Sequence, residues 1–295
     1  MKRIAIIGMS GNSLFFNKIN NKFIKVHEEV GGKGYNQAIA CIRNGVNVSY
    51  LTAVGNDNQG LVLEDFMKKE GIDTFFVKKN EPTLEAKIYV NEKGDNKVVY
   101  NKDNCATLEK EDVINFEEQI KESDAVLLQY EYPKEIIEKA IELSKKHNKK
   151  VMVNPAPMIY DDLNLLKYVD IITPNEEEAY KLFLNGNKNI EKLIEEEGKS
   201  NIKCIINTLG GNGLLVIRNN IVNHYNAIKV NAVDTTGAGD TFNGVFISNV
   251  LKGLDFDDAI KRAIVGSGLS VCKKYVMDAI PNQNDIEKYI ENNNL

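Results

Sequence analysis

The sequence predicts an α/β protein with a mainly parallel sheet covered by helices on both faces. Two observations predict it. Apolar runs of strand length alternate with segments of helical apolar spacing along most of the 295 residues. Turns rich in small residues, Pro and Asn follow several of those runs, at the carboxyl edge where open α/β sheets bind ligands. No linker, internal repeat or membrane-length apolar run interrupts the pattern, so residues 1–295 read as a single domain.

The first run, Ile4–Ile7, is a buried strand ending at Gly8. Tyr35, Ala38, Ile39, Cys41 and Ile42 then fall on one helical face. Val48–Val54 is the next strand, and Leu61, Leu63, Phe66 and Met67 mark a less regular helix. Leu84–Asn91 and Lys97–Asn101 flank Glu92-Lys93-Gly94-Asp95-Asn96, a hairpin signal. With part of residues 13–30, this hairpin makes a small β-flap off the main sheet. Ala125–Leu128, Val151–Val153, Val169–Ile172 and Cys204–Ile206 are further strands, with a helix at Ile137, Ala140, Ile141 and Ser144. After Asp240 come two helices, one at Phe242, Val245, Phe246 and Val250, the other at Phe256, Ala259, Ile260 and Ala263. The Asn-rich end, Glu291–Asn294, is expected to fray.

Composition removes several function classes. There are 37 basic and 42 acidic side chains, giving a net charge of -5. Such a balance gives no overall attraction to nucleic acid or to an anionic membrane. Cys41, Cys105, Cys204 and Cys272 lack metal or redox-pair spacing and read as reduced thiols of a cytoplasmic protein. The apolar run after Met1-Lys2-Arg3 is too short for a signal peptide.

The chemistry concentrates in residues 234–244, Asp-Thr-Thr-Gly-Ala-Gly-Asp-Thr-Phe-Asn-Gly. Gly237-Ala238-Gly239 opens a helix whose free N–H groups favour an anion. Asp240 beside them can accept a proton from an attacking hydroxyl. A base on the nucleophile and dipoles on the phosphate are the minimum for phosphoryl transfer to an alcohol. An Asp that merely caps the helix is the alternative for a lone Gly-x-Gly-Asp.

Four other segments support that chemistry. Gly31-Gly32-Lys33-Gly34-Tyr35-Asn36-Gln37-Ala38 precedes an amphipathic helix, with Lys33 and Asn36 able to bond hydroxyls, or is a flexible loop before that helix. It is not a Walker loop, because Gly32-Lys33 is followed by Gly34. Glu131 follows a strand and can grip hydroxyls, or be a solvated loop acid. Asn175 and Glu178 share one side of a helix start and suit a hydrated magnesium ion and a phosphate. They equally suit a capping box. Thr208-Leu209-Gly210-Gly211-Asn212-Gly213 lets a nucleotide lie against its backbone, or is an ordinary hairpin turn.

In this order, the segments resemble the ribokinase-like (PfkB-type) carbohydrate kinases, over nearly the whole chain from Ile4 to Pro281. The resemblance implies a helix-sandwiched sheet, a three-layer arrangement, with a small β-lid from about 13–30 and 83–104. It implies a cytoplasmic ATP- and Mg2+-dependent sugar kinase and admits a homodimer through the lid. Asp240 matches the catalytic base, and Gly237, Ala238 and Gly239 the anion hole. Gly32, Lys33, Asn36 and Glu131 match sugar contacts, with Ser13 at a further contact position. Asn175, Thr208, Gly210 and Gly213 match nucleotide positions, and Glu178 the Mg2+ position, reached through water. Asp234 and Thr236 match a monovalent-cation (K+) site.

Three departures stand out. Ser13 occupies a position where the family carries Asp, which puts ribose itself in question. Only 17 residues separate Ser13 from Gly31, so the lid is expected to be truncated. Tyr275 stands where the family favours Gly, which bears on potassium, and Lys273 or Lys274 could supply a fixed charge instead. Two rival readings remain. One is a nucleoside kinase on the same fold, with Leu14, Phe15, Phe16 and Tyr35 as candidates for a base slot. The other is a non-catalytic sugar sensor.

Overall fold

A computed structural model describes residues 1–90, 96–101, 104–160, 163–183 and 202–295. Nine strands form the main sheet in the order β13-β12-β11-β10-β9-β8-β1-β4-β5. These are β1 (Arg3–Ile7), β4 (Asn47–Gly55), β5 (Asp73–Lys79), β8 (Ala125–Gln129), β9 (Lys150–Asn154), β10 (Ile171–Ile172), β11 (Cys204–Thr208), β12 (Leu214–Arg218) and β13 (Ile221–Tyr225). All neighbours from β5 to β11 pair in parallel. The β11-β12-β13 edge is antiparallel.

The apolar runs are explained by two cores. Ala5, Ile7, Val126 and Leu128 join one cluster, whereas Ile4, Ile6, Ala125 and Leu127 join another. Successive side chains on a strand point to opposite faces, so the sheet is buried on both sides and the molecule has three layers. The first cluster is covered by α3 (Lys110–Asn115), α4 (Glu117–Glu122), α5 (Lys134–Lys146) and α6 (Glu176–Phe183). The second is covered by α1 (Lys33–Arg43), α2 (Asn58–Lys69), α7 (Ala238–Leu251), α8 (Phe256–Ser270) and α9 (Gln283–Asn293). Helix α7 is buried around nearly its whole circumference, polar residues included. It meets α1 backbone to backbone: a β-carbon on Gly244 would lie 2.3 Å from that of Ala40.

Four strands, β2 (Gly11–Ile19), β3 (Lys22–Gly31), β6 (Leu84–Val90) and β7 (Asn96–Tyr100), form a second sheet in the order β3-β2-β6-β7. The expected truncation is not found. Asn20 and Asn21 both take positive φ, 48° and 60°, so two residues close the β2–β3 hairpin. Such a turn matches strand twist, and the remaining residues are free for two long strands. The hairpin turn expected at 92–96 falls mostly outside the described residues.

Two other expectations change. The C-terminal tail is helical through Asn293, because Asn282 and Asp285 cap α9 reciprocally and Ile286 anchors it in the core. The Val169–Ile172 run yields only a two-residue strand, preceded by a tight helical turn at Leu163–Tyr168. All four cysteines are free thiols, and no helix among the described residues is long and apolar enough to cross a membrane.

Candidate active site

Strand ends and helix starts converge under the four-stranded sheet. Helix α1 begins behind Gly32, with φ 105°, and α7 behind Gly237, with φ 74°. Both φ values are costly for any residue with a β-carbon. Between these helix starts and the second sheet lies a cavity of about 140 Å3. That is below the roughly 300–1,000 Å3 of drug-sized pockets and suits a small polyol. Ser13, Gly32, Lys33, Asn36, Glu131, Thr236, Gly237 and Asp240 all line it. A wider open groove of about 530 Å3, beside β12, β13 and the start of α8, shares none of these residues. Its Tyr225 and Asp257 bond one another, and it holds no carboxylate set at a helix start beside a lysine.

Asp240 is 5% exposed. Its Oδ2 accepts from Asn36 Nδ2 and its Oδ1 from Gln37 Nε2, both at 2.9 Å. Gln37 is held in turn, accepting from Gln129 Nε2 at 2.7 Å and donating to Asn154 Oδ1 at 3.1 Å. Asn154 donates to the Thr173 carbonyl. This buried amide relay fixes the orientation of the carboxylate. Asn36 Oδ1 is buried and has no partner among the described residues. Asn36 itself lines the cavity, and its amide oxygen is an unused acceptor.

Lys33 and Glu131 supply the charges. Burial alone would lower the Lys33 ammonium, but Asp240, Glu131 and Glu178 outweigh it and raise the pKa. Glu131 is pushed up to about 7 by burial, against the pull of Lys33 and of the Lys33 and Gly34 N–H groups that it accepts. Glu131 is therefore no solvated loop acid.

Of the Gly237-Ala238-Gly239 turn, Gly237 lines the cavity and Gly239 is exposed. A β-carbon on Gly239 would touch nothing within 4 Å, which leaves room for a ligand against its backbone. The Ala238 N–H is turned to the Thr235 carbonyl in a long 3.3 Å contact. Asp234 accepts from Thr236 N–H and Oγ1 on one oxygen and from Tyr275 N–H on the other.

Asn175, Glu178, Thr208, Gly210 and Gly213 lie outside the cavity lining. Asn175 and Glu178 cap each other's N–H groups at 2.8 and 2.9 Å. Burial raises the Glu178 pKa. Residues 209–213 link antiparallel β11 and β12, so the hairpin reading is realised. Gly210 and Gly211 nonetheless face open space, which leaves their backbone free for a flat ligand. Lys273 donates to the Asp278 carbonyl on the surface. Of the aromatic slot candidates, Phe15 faces the cavity. Phe16 stacks on Tyr89, and Tyr35 is fully buried.

The sequence reading missed Gln37, Glu29 and Tyr100. Gln37 had a signal: it sits four residues before Cys41 on an apolar helical face, where a polar side chain needs a partner.

A profile of the family described as pfkB family carbohydrate kinase matches residues 1–283. A ribokinase from Haemophilus influenzae is 35% identical over 266 residues, covering 88% of this chain and 87% of that protein. One from Staphylococcus aureus is 39% identical over 264 residues, covering 85% and 84%. The crystal structure of a ribokinase from Thermotoga maritima superposes with a TM-score of 0.88 at 29% identity, covering 99% of this chain and 100% of that one. With a profile that runs to residue 283 and relatives matched over most of their own length, this chain belongs to the pfkB family of carbohydrate kinases.

Proposed function

We propose that Asp240 is the base and that the Gly237–Gly239 turn receives the transferring phosphoryl group. Family membership makes the chain a phosphotransferase with an alcohol acceptor. The observation that carries the role of Asp240 is its setting. A buried carboxylate, fixed by two amides, stands at the first turn of a helix beside a polyol-sized cavity.

A sugar enters under the second sheet, which acts as the lid. Lys33 donates to its hydroxyls, Asn36 Oδ1 and Glu131 accept from them, and Ser13 contacts it from above. Asp240 accepts the proton of the attacking hydroxyl. A weak base suffices when the transition state is loose. The helix start at Gly237 stabilises the equatorial oxygens. When bound, Mg2+-ATP supplies the electrophilic phosphoryl group. Oxygen donors suit Mg2+, and Glu178 is the carboxylate that would hold it. Asn175, Thr208, Gly210 and Gly213 form the nucleotide shelf. Asp234 and Thr236 are the residues that would hold a monovalent cation such as K+, with Asp234 also accepting from three protein donors. The free cysteines support a reducing, cytoplasmic setting.

A pentose is the favoured substrate, supported by relatives named ribokinase. The test is Mg2+-dependent ATP turnover across pentoses, hexoses and nucleosides, with Asp240→Asn in parallel. Turnover with a pentose that collapses in the variant is expected. Near-normal turnover in Asp240→Asn would overturn the mechanism, and preference for nucleosides would overturn the substrate.

A further inference from the structure

Lid strand β3 carries a buried carboxylate that this mechanism does not use. The Glu29 side chain is 6% exposed and lines the cavity from above. It lies opposite Ser13 in the β2–β3 register. Its oxygens face the protein: Oε1 accepts the Val276 N–H at 3.0 Å, and Oε2 the Met277 N–H at 3.1 Å. Two residues earlier on the same face, His27 lies flat on Tyr275, ring centroids 3.6 Å apart. Phe15 meets Tyr275 edge-on from β2. The root of the lid thus grips three consecutive residues, 275–277.

Those residues stand behind the anion hole. The Tyr275 N–H donates to Asp234, whose other oxygen holds Thr236. Val276 packs against Gly237 so closely that a β-carbon there would lie 2.7 Å from its Cγ1. Tyr275 has φ 66°, a conformation that a non-glycine residue keeps only when its surroundings impose it. The stacked His27 and the Glu29 bonds to the next two amides impose it here. Burial raises the Glu29 pKa, and the two N–H bonds offset that cost.

We propose that Glu29 is a positioning residue that locks the 275–277 segment behind the Gly237 turn, aligning the anion hole only while the lid root is seated. This rests on reading Gly237–Gly239 as that hole. Lid docking and stabilisation of the phosphoryl group are thereby one event. The chain can bind sugar or nucleotide alone, but it assembles the hole only with the lid in place.

The test uses the full chain and three readouts: kcat and KM for the sugar, sugar affinity by calorimetry, and affinity for ADP with aluminium fluoride, a phosphoryl mimic, against ADP alone. Glu29→Gln puts an amide NH2 against one N–H and should lower kcat about 10-fold or more. Mimic affinity should fall in step, with sugar and ADP affinities within about twofold. Val276→Ala, which leaves the Glu29 bonds in place, should show the same split. The double variant should be little worse than either single one. Thermal melting checks that each variant folds, and Val276→Ala keeps the test alive if Glu29→Gln does not. Unchanged kcat and mimic affinity would overturn the inference. So would a parallel loss of sugar affinity, which would make Glu29 a sugar contact. Asp240→Asn separates the two readings: normal turnover there sinks the base assignment, while the mimic titration still judges Glu29.

Discussion

The two sheets of this molecule are built on opposite principles. The nine-stranded sheet is covered on both faces, and its central strands are apolar at almost every position. The four-stranded sheet is covered less completely: it has one face on the cavity, and its edge strand β3 leaves Phe23, Ile24 and Val26 40–48% exposed. Behind Gln37, Gln129 and Asn154 of the first sheet back the buried amide that holds Asp240, the proposed base, whereas the second sheet presents Ser13 and Glu29 to the cavity. Chemistry is thus anchored where the structure is most over-determined, and recognition is placed where strands can vary with little loss of core.

The largest expected effect tests the anchored side. Asp240→Asn should lower kcat by roughly 10²–10⁴-fold, as loss of a general base does, with sugar affinity by calorimetry nearly unchanged. Next, Gln37→Leu should cost both activity and stability, because it leaves Gln129, Asn154 and Asp240 each short of a partner. About 1–3 kcal/mol of stability should be lost in urea melts, with kcat down by about tenfold or more. If that variant loses neither, the large sheet does not hold the base as described.

A third effect is pH-dependent. The Glu131 pKa is raised to about 7, so the folded chain binds its proton more tightly than the unfolded chain. Its contribution to stability is present below the unfolded carboxylate range and fades as pH rises through about 7. Denaturation midpoints of the native chain against Glu131→Gln should therefore diverge as pH rises from the ordinary carboxylate value of 4.5 to about 7, with the variant gaining, and the gap should hold steady above that. A constant gap from pH 5 to 9 would show that Glu131 is not desolvated. The smallest effect lies in the lid. Asn20→Ala with Asn21→Ala puts alanine at two positive φ positions and should cost about 1–2 kcal/mol per residue locally. Hydrogen exchange should quicken in β2 and β3 while the large sheet keeps its protection. Equal loss in both sheets would erase the contrast between them.

The same contrast explains what could be read from the sequence. The parallel strands were legible because continuous apolar runs have one structural use. Edge strand β5, Asp-Thr-Phe-Phe-Val-Lys-Lys, was not, since its ends are charged. Lid strand β3 was not resolved, because Lys25, Glu28 and Glu29 break its pattern, and only pairing with β2 explains them. Helices α3 and α4, of six residues each, are too short for a period to register. Within the site, Asp240, Lys33 and Glu131 were legible from their turns. The roles of Gln37 and Glu29 were not, because their partners lie between 92 and 248 residues away in the chain. Asn36 was read as a sugar contact alone, yet its amide group also orients Asp240.

The meeting of α1 and α7 at Gly244 has an evolutionary consequence. A side chain there would strike Ala40 and the carbonyl of Gln37, the residue that holds the base. Neither helix can drift from the other without spoiling the seam that aligns Asp240. Descendants of this chain that change substrate must therefore leave that seam untouched and accumulate their differences in β2, β3, β6 and β7. Among such lineages, divergence should be concentrated in the lid and almost absent from the 36–44 and 240–248 pair.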